Sequence, residues 1–431
     1  MNQLLLTPSD VLFFRDGRPM GGSLAGHGAA WPLPTVTNAA LHATMHRAQI
    51  GGVHSHDQIR LKKGGQRDRI RKDDRKFGCL VTAGPFPVVG DDWFFPRPLD
   101  AASGGLTDPT FLPLAKGVNR DNSSLPYPLQ YAVANAKEPS KDSVAPWWNK
   151  AAWRSYLGLS PGAPPCFKSD SDFSDTEFNF GIGIDPTTDT QDGERFYSAH
   201  YLRLREGCHL GLLASAHDKL NNGPGKRDLI HKLFPNHGTS TPIIIGGQQR
   251  ACSVRRHENQ SLPLPCGKTA GFASNGDQTL VKWVLLTPAI FPIINDHTGG
   301  WLPSWIDMQG QVQLLDGPGK NFSARHHLAP GKAIPAKLVA AMVGKPIPVT
   351  GYACDNGLED RKEGPKPTYL AVPAGSVYYF QCAPGDAARL AAALNWHGSD
   401  PNPTTIKNRR STLLGEKGFG LGVCGTWQFY S

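Results

Sequence analysis

The chain has 431 residues, 39% of them hydrophobic, which is enough for two or three domains that bury cores without covalent staples. Its formal charge of +9 favours a polyanionic partner, although net charge speaks to association and not to fold. The eight cysteines, Cys79, Cys166, Cys208, Cys252, Cys266, Cys354, Cys382 and Cys424, form no Cys-x-x-Cys pair, so no closed zinc site is indicated and reduced thiols are the plain reading.

Met1 to Leu6 lacks a basic stretch before its apolar residues and meets Asp10 too soon for a secretory signal. Trp283 to Ile294 is broken by Pro288 and Pro292 and falls short of the roughly 20 residues that cross a bilayer. A cytoplasmic protein without a membrane span, and without a cofactor or metal, is expected.

In chain order, strands are predicted near Gln3–Leu6 and Val11–Phe14. The second runs into the charged turn Arg15-Asp16-Gly17-Arg18-Pro19, which presents two guanidinium groups. Pro34-Thr35-Val36-Thr37-Asn38 then supplies hydroxyl and amide groups suited to the free N–H groups of a helix over Asn38–Ala48, leaving its positive end available for phosphate. Further strands are expected at Cys79–Thr82, Asp92–Phe95, Gly181–Asp185 and Phe196–Tyr197, and a short helix at Asp228–Leu233. Thr241 to Arg250 reads as a strand entering a polar turn, with Arg255, Arg256 and His257 behind it. Two stretches, about 50–76 and 97–179, are rich in Gly, Pro, Ser and charge and read as loop insertions.

The opening Leu4-Leu5-Leu6-Thr7-Pro8 is echoed by Leu285-Leu286-Thr287-Pro288, which points to two copies of one fold. After the echo the predicted order is strand Val281–Leu286, helix Pro335–Val343, strand Ile347–Ala353, strand Ser376–Cys382, helix Asp386–Asn395 and strand Gly420–Gln428. Pro335 suits a first helical turn, Gly344 a helix end and Asp386 a cap. The fold class is therefore α+β, with two ferredoxin-like (RRM-like, βαββαβ) domains and long loop insertions in the first. The boundary is placed within Cys266–Gln278, giving domains 1–272 and 273–431.

Three constellations are candidates for chemistry. The first insertion carries nine cations, Lys62 and Lys63 among them, against four aspartates, a local charge of +5; such a loop either gathers RNA through counterion release or is a solvated run. Lys417-Gly418-Phe419-Gly420, behind the basic run Lys407, Arg409 and Arg410, offers glycines for close backbone approach and an aromatic for base stacking. His42 and His46 share a helix face by their spacing, which would suit an RNA-cleaving base or a metal as well as ordinary packing. Trp147, Trp148 and Trp153 read as packing or partner contacts.

Taken in order, Phe13 to Pro19, Pro34 to Ala39, the Gly181 to Asp189 segment, Gly246-Gly247, Pro373 to Tyr378 and the late glycine loop resemble the repeat-associated RNA-binding (RAMP) proteins of type III-B CRISPR effectors, specifically their third subunit. The resemblance is densest in the first fifty and last sixty residues and does not cover the two insertions. It implies a non-catalytic subunit that holds the repeat-derived 5′ tag of the guide RNA and contacts the large polymerase-like subunit. It also implies an adjoining backbone RAMP subunit and only indirect contact with target RNA. On that reading Arg15, Arg18, Thr35, Thr37, Asn38, Lys62, Lys63, Arg250, Arg255, Lys417, Gly418, Phe419 and Gly420 bind RNA, by the stacking and edge contacts that suit single strands. The alternative is a metal-independent guide-processing endoribonuclease of the same superfamily. One departure stands out: the family turn commonly reads Gly-Gly-Glu before its arginine, and here it reads Gly246-Gly247-Gln248-Gln249-Arg250.

Overall fold

The computed structural model describes residues 1–14, 24–26, 31–48, 50, 80–101, 109–113, 126–135, 145–185, 187–219, 226–235, 241–257, 261–292, 300–315, 333–353 and 364–429. The predicted Cys79 and the turn after Phe14 lie outside them. The first elements are β1 (Asn2–Pro8), α1 (Pro34–Arg47), β2 (Val81–Val89), β3 (Asp92–Pro96), β4 (Trp147–Asn149), α2 (Lys150–Tyr156) and β5 (Phe167–Lys168). Next come β6 (Ser174–Ile184), β7 (Gln191–Leu204), β8 (Cys208–Ser215), α3 (Leu229–Leu233), β9 (Ile243–Ile245) and β10 (Arg250–His257). The remainder is β11 (Gln278–Leu285), β12 (Ala336–Met342), β13 (Val377–Cys382), α4 (Pro384–Leu394) and β14 (Gly422–Thr426). Antiparallel pairing dominates and helices are few, an α+β composition.

The chain forms two units, one of Met1–Asp92, Ser171–Gln260 and Glu416–Gly418, the other of Trp93–Asp170, Ser261–Gly415 and Phe419–Ser431. The long run of the first unit ends at Gln260, shortly before the stretch 266–278 where the sequence reading sets its boundary.

In the first unit β10, β1, β8 and β2 lie side by side in that order, all antiparallel, with β9 outside β10. Alternation explains the layer. Leu4, Leu6, Leu210, Leu212, Cys252 and Val254 face one way and pack on Leu41 and Met45 of α1 and on Ile230 and Leu233 of α3. A second sheet joins β6 and β7, with the short strand Leu24–Gly26 running parallel to β7.

The sheet of the second unit repeats this pattern: β14, β11, β13 and β12 are neighbours in that order. The Leu-Leu-Thr-Pro echo therefore falls at the end of β1 in one unit and of β11 in the other, and both are inner strands. The predicted helix Pro335–Val343 is corrected to strand β12. Leu338, Val339 and Ala340 are all fully buried, so an apolar run closed on both faces had passed for a helical one. Among the described residues no helix lies between β11 and β12; Leu302, Trp305, Ile306, Val312 and Leu314 fill that part of the core. The predicted strand Ile347–Ala353 is two pieces, Ile347–Val349 and Tyr352–Ala353, each in its own two-stranded ribbon. The helix after β13 starts at Pro384 and not at Asp386, which lies in its first turn and pairs with Arg389.

The stretch 97–179, expected as loop, holds β4, α2, β5 and the start of β6, with Trp148 and Trp153 fully buried. It also supplies Asp100, which is wholly buried in the second unit. Asp100 accepts from Lys282 Nζ at 3.0 Å, from Tyr379 Oη at 3.1 Å and from Tyr156 Oη, while Lys282 lies 3.9 Å from the centre of the Tyr156 ring. Burial, and then the Asp100 charge, push both tyrosines well above their ordinary pKa, so they remain donors. Removing one partner of such a pair strands the other in a low-dielectric interior. Asp100→Ala is expected to cost about 3–5 kcal/mol in denaturant unfolding, and an unchanged midpoint would show the cluster to be dispensable.

His397 gives a second check. Its Nε2 accepts from the Gly267 N–H at 3.0 Å, so Nδ1 carries the proton and donates to Asp400 O at 2.8 Å. Burial of the ring lowers its pKa below the ordinary value of 6.5. The neutral ring's contribution is thus complete above about pH 6.5 and fades as pH falls toward the lower folded value. Wild type and His397→Gln should converge in stability between pH 7 and pH 5; a constant gap would rule the ring out as the cause.

Candidate nucleic-acid interface

The structure brings two of the sequence motifs together within the first unit. Phe13 and Phe14, just before Arg15, meet the Gly246–Arg250 turn: the Gly247 N–H donates to Phe13 O at 2.8 Å. Gly246 sits at φ +70°, and a Cβ there would lie 2.5 Å from Phe13 O; one on Gly247 would lie 2.6 Å from the Phe13 ring. Only glycine admits this approach. Gln248 and Gln249 follow at φ +56° and +51°, a region that non-glycine residues seldom occupy.

Side chains hold the turn in that form. The Gln248 amide exchanges hydrogen bonds with the Tyr201 hydroxyl at 2.7 and 3.1 Å, and Tyr201 packs on Phe13 with centroids 5.5 Å apart. Arg250 lies 5.7 Å from the centre of the Tyr201 ring and donates to Gln248 Oε1 at 3.1 Å and to Asp10 at 3.2 Å. Asp10 also takes Arg203 at 3.0 Å, and Arg203 is gripped in turn by Glu177. The Val11 N–H, then Arg203, hold the Asp10 carboxyl below its ordinary value. Where the resembled turn has a glutamate, this chain has Gln248, and the carboxylate reaching Arg250 comes from Asp10. Sequence reading missed Asp10, Tyr201 and Arg203; the strand alternation of β7 was the available signal.

Arg255 and Ser253 point from β10 on the face opposite the helices, and both are exposed. On that face the exposed Thr7 meets His209, Oγ1 to Nδ1 at 2.8 Å. Burial, then the Arg255 charge, lower the His209 pKa and favour the neutral ring.

Other expected contacts turn inward. Leu33, not a threonine or asparagine, caps α1, and Pro34 opens it without needing a partner for a missing N–H. Thr37 is wholly buried and donates to Pro34 O at 3.2 Å; Asn38 donates to Thr82 Oγ1 at 3.1 Å; Thr35 is half-buried. Thr37 and Asn38 are packing groups.

Phe419 is wholly buried and offers no stacking platform. The glycines beside it approach protein backbone: a Cβ on Gly418 would lie 2.9 Å from Ala83 Cα, and one on Gly420 1.9 Å from Ser411 N. Lys417 is half-buried. The preceding basic run is engaged internally. Lys407 pairs with Asp400, Arg409 donates to Gly415 O at 2.9 Å, and Arg410 caps the carbonyl of Ala393 near the end of α4 while burial brings its pKa to about 10. Arg15, Arg18, Lys62 and Lys63 lie outside the described residues. The rings of His42 and His46 contact each other at 4.6 Å. Among the described residues no group of three or more His, Cys, Asp or Glu could hold a metal, and no helix is long and apolar enough to cross a membrane.

Residues 4–427 match the family model described as CRISPR-associated protein (Cas_Cmr3). The chain belongs to that family. No curated relative matches the sequence. Among solved structures, a chain of the type III-B Cmr-beta complex bound to cognate target RNA is similar at 13% identity and a TM-score of 0.40, covering 88% of this chain and 86% of that one. A chain of the same complex with target RNA and AMPPnP gives 12% and 0.38 over the same shares. A chain of the Csm3-Csm4 subcomplex of the type III-A interference complex gives 10% and 0.33, covering 88% and 92%.

The turn makes a local prediction. Gly246→Ala should lower stability by about 1–3 kcal/mol and speed hydrogen exchange at the Gly247 amide, with β11 unaffected. Unchanged exchange at Gly247 would mean that the turn tolerates a side chain.

Proposed function

We propose that this Cas_Cmr3 family member is a non-catalytic RNA-binding subunit of a type III-B CRISPR ribonucleoprotein that holds the repeat-derived 5′ tag of the guide RNA. In that role it contacts the large polymerase-like subunit and an adjacent backbone subunit. The observation that carries the reading is the junction of Phe13-Phe14 with the Gly246–Arg250 turn. It joins the segment that leads to Arg15 and Arg18, which was expected as a strand over Val11–Phe14 but is bridged only at Leu12 to Leu202, to the strand that carries Arg250 and Arg255. Cations and small polar groups around a turn of fixed backbone suit phosphates and splayed bases of a single strand. The shared strand order of the two sheets supports reading both units as ferredoxin-like, the second with a loop in place of its first helix. Arg15, Arg18, Arg250 and Arg255 carry the contact, with Lys62 and Lys63 adding affinity without sequence preference. Phe419, Thr37 and Asn38 drop out.

The test is binding of the purified chain to tagged and untagged guide RNA at one salt concentration. Tagged RNA should bind more tightly, and Arg255→Ala and Arg15→Ala should each weaken it on the order of tenfold, about 1.4 kcal/mol. Deleting Ile59–Lys76 should flatten the salt dependence. Equal affinity for the two RNAs would refute tag recognition. Cleavage of repeat RNA that disappears in His42→Ala or His46→Ala would replace it with the endoribonuclease reading.

A further inference from the structure

The first unit's sheet carries its helices on one face, and along one margin its other face turns polar. Leu4 and Leu6 of β1, Leu210 of β8 and Val254 of β10 point to the helices, so the residues between them point away. Two rows result on that far face. Ser253, Thr7, His209 and Val88 cross β10, β1, β8 and β2, and beside them run Arg255, Leu5, Gly211 and Phe86. Leu5, Phe86 and Val88 are buried, whereas Thr7, Ser253 and Arg255 are exposed and His209 is half-buried. The polar groups thus border an apolar floor, where a charge-assisted hydrogen bond is stronger than in open water.

Two of these groups keep donors or acceptors to spare. Thr7 Oγ1 meets His209 Nδ1 at 2.8 Å, and among the described residues His209 Nε2 makes no hydrogen bond. Arg255 is taken by no carboxylate or carbonyl among them, in contrast to Arg203, Arg250 and Arg256. Asp10, just past the end of β1, is already shared by Arg203 and Arg250. No carboxylate faces the ring: β1 brings Thr7 and Leu5, β2 brings Val88, and β10 brings Ser253 and Arg255. Burial and then the Arg255 charge hold the ring neutral. An anion between the two reverses that balance, because it pairs with the guanidinium and favours the protonated imidazole.

The donor set selects the anion. A guanidinium, two hydroxyls and an imidazole from three neighbouring strands approach one group from several sides, as suits the oxygens of a phosphate. A planar carboxylate is satisfied by the arginine fork alone. Arg255 also lies five residues along β10 from Arg250, roughly 17 Å at about 3.4 Å per residue, so it makes a contact separate from the Gly246–Arg250 turn.

We propose that Thr7, His209, Ser253 and Arg255 form a subsite for one phosphodiester group of the RNA strand, with His209 as its pH-sensitive member. The choice of RNA as the source of that phosphate rests on the function proposed above.

The experiment measures binding of tagged guide RNA by the full chain from pH 8 to pH 5.5 at one ionic strength. A second arm follows the His209 ring by NMR while inorganic phosphate, and then the RNA, is added. His209→Gln identifies the ring's signal, and circular dichroism verifies that each variant is folded at each pH. Because the seated anion raises the ring's pKa, the complex takes up a proton and affinity rises as pH falls. Over this range wild type should gain about three- to tenfold more affinity than His209→Gln. Ser253→Ala should weaken RNA binding by about threefold or more at either pH. Inorganic phosphate should move the ring's titration midpoint upward, and by less in Arg255→Ala. Equal pH dependence in wild type and His209→Gln would overturn the proposal, and so would a midpoint that neither phosphate nor RNA moves. A midpoint raised by inorganic phosphate in a chain that binds no tagged RNA would refute the RNA-binding role and overturn the phosphodiester assignment, making free phosphate the ligand.

Discussion

Backbone touching backbone is the constraint on which the candidate interface depends. At Gly246 and Gly247 the chain passes within side-chain distance of Phe13, and any Cβ would part them. Because that contact fixes where β9 gives way to β10, it also fixes the start of the strand that presents Ser253 and Arg255. Asp10, Arg203, Arg250, Gln248 and Tyr201 then compensate for two residues held in an uncommon conformation. The glutamine in place of an acidic residue is accommodated because its amide can serve Tyr201 and Arg250 at once, while the negative charge comes from another strand end.

What could be read from the sequence follows from which physical signal was strong. Alternating or continuous apolar runs located β1, β11 and β13, and the Leu-Leu-Thr-Pro echo marked equivalent strand ends in two sheets of the same order, while β8 went unread. Punctuation misled at Pro335 and Gly344: both residues flank a strand whose Leu338, Val339 and Ala340 are closed on each face, and composition alone does not separate that from a buried helix. The glycine loop near 418 misled differently. Its glycines do permit close approach, but to Ala83 and to Ser411, and the ring of Phe419 is sealed in the second unit. No local pattern announces the approach to Ala83, because that partner lies 335 residues from Gly418 in sequence.

The same distance explains why Asp100 was passed over. It lies in a stretch whose composition reads as loop, yet it takes two tyrosines and a lysine from segments on either side of the chain's midpoint. A buried carboxylate is tolerable only with such a full set of donors, and the set exists only after folding.

The placement of β1 has a consequence for how the protein is made. It is the strand flanked by both β8 and β10, with Leu4 and Leu6 wholly buried, yet Thr7 finds His209 across 202 residues of chain and Asn2 finds Arg256 across 254. During synthesis an apolar strand therefore emerges long before either neighbour exists to pair with it. Non-local pairing of this kind is slow and leaves surface open to aggregation, so the first unit can close only after translation has run past its last strand. An early binding partner, or a chaperone that covers β1 in the interval, would act on yield without touching the stability of the finished fold.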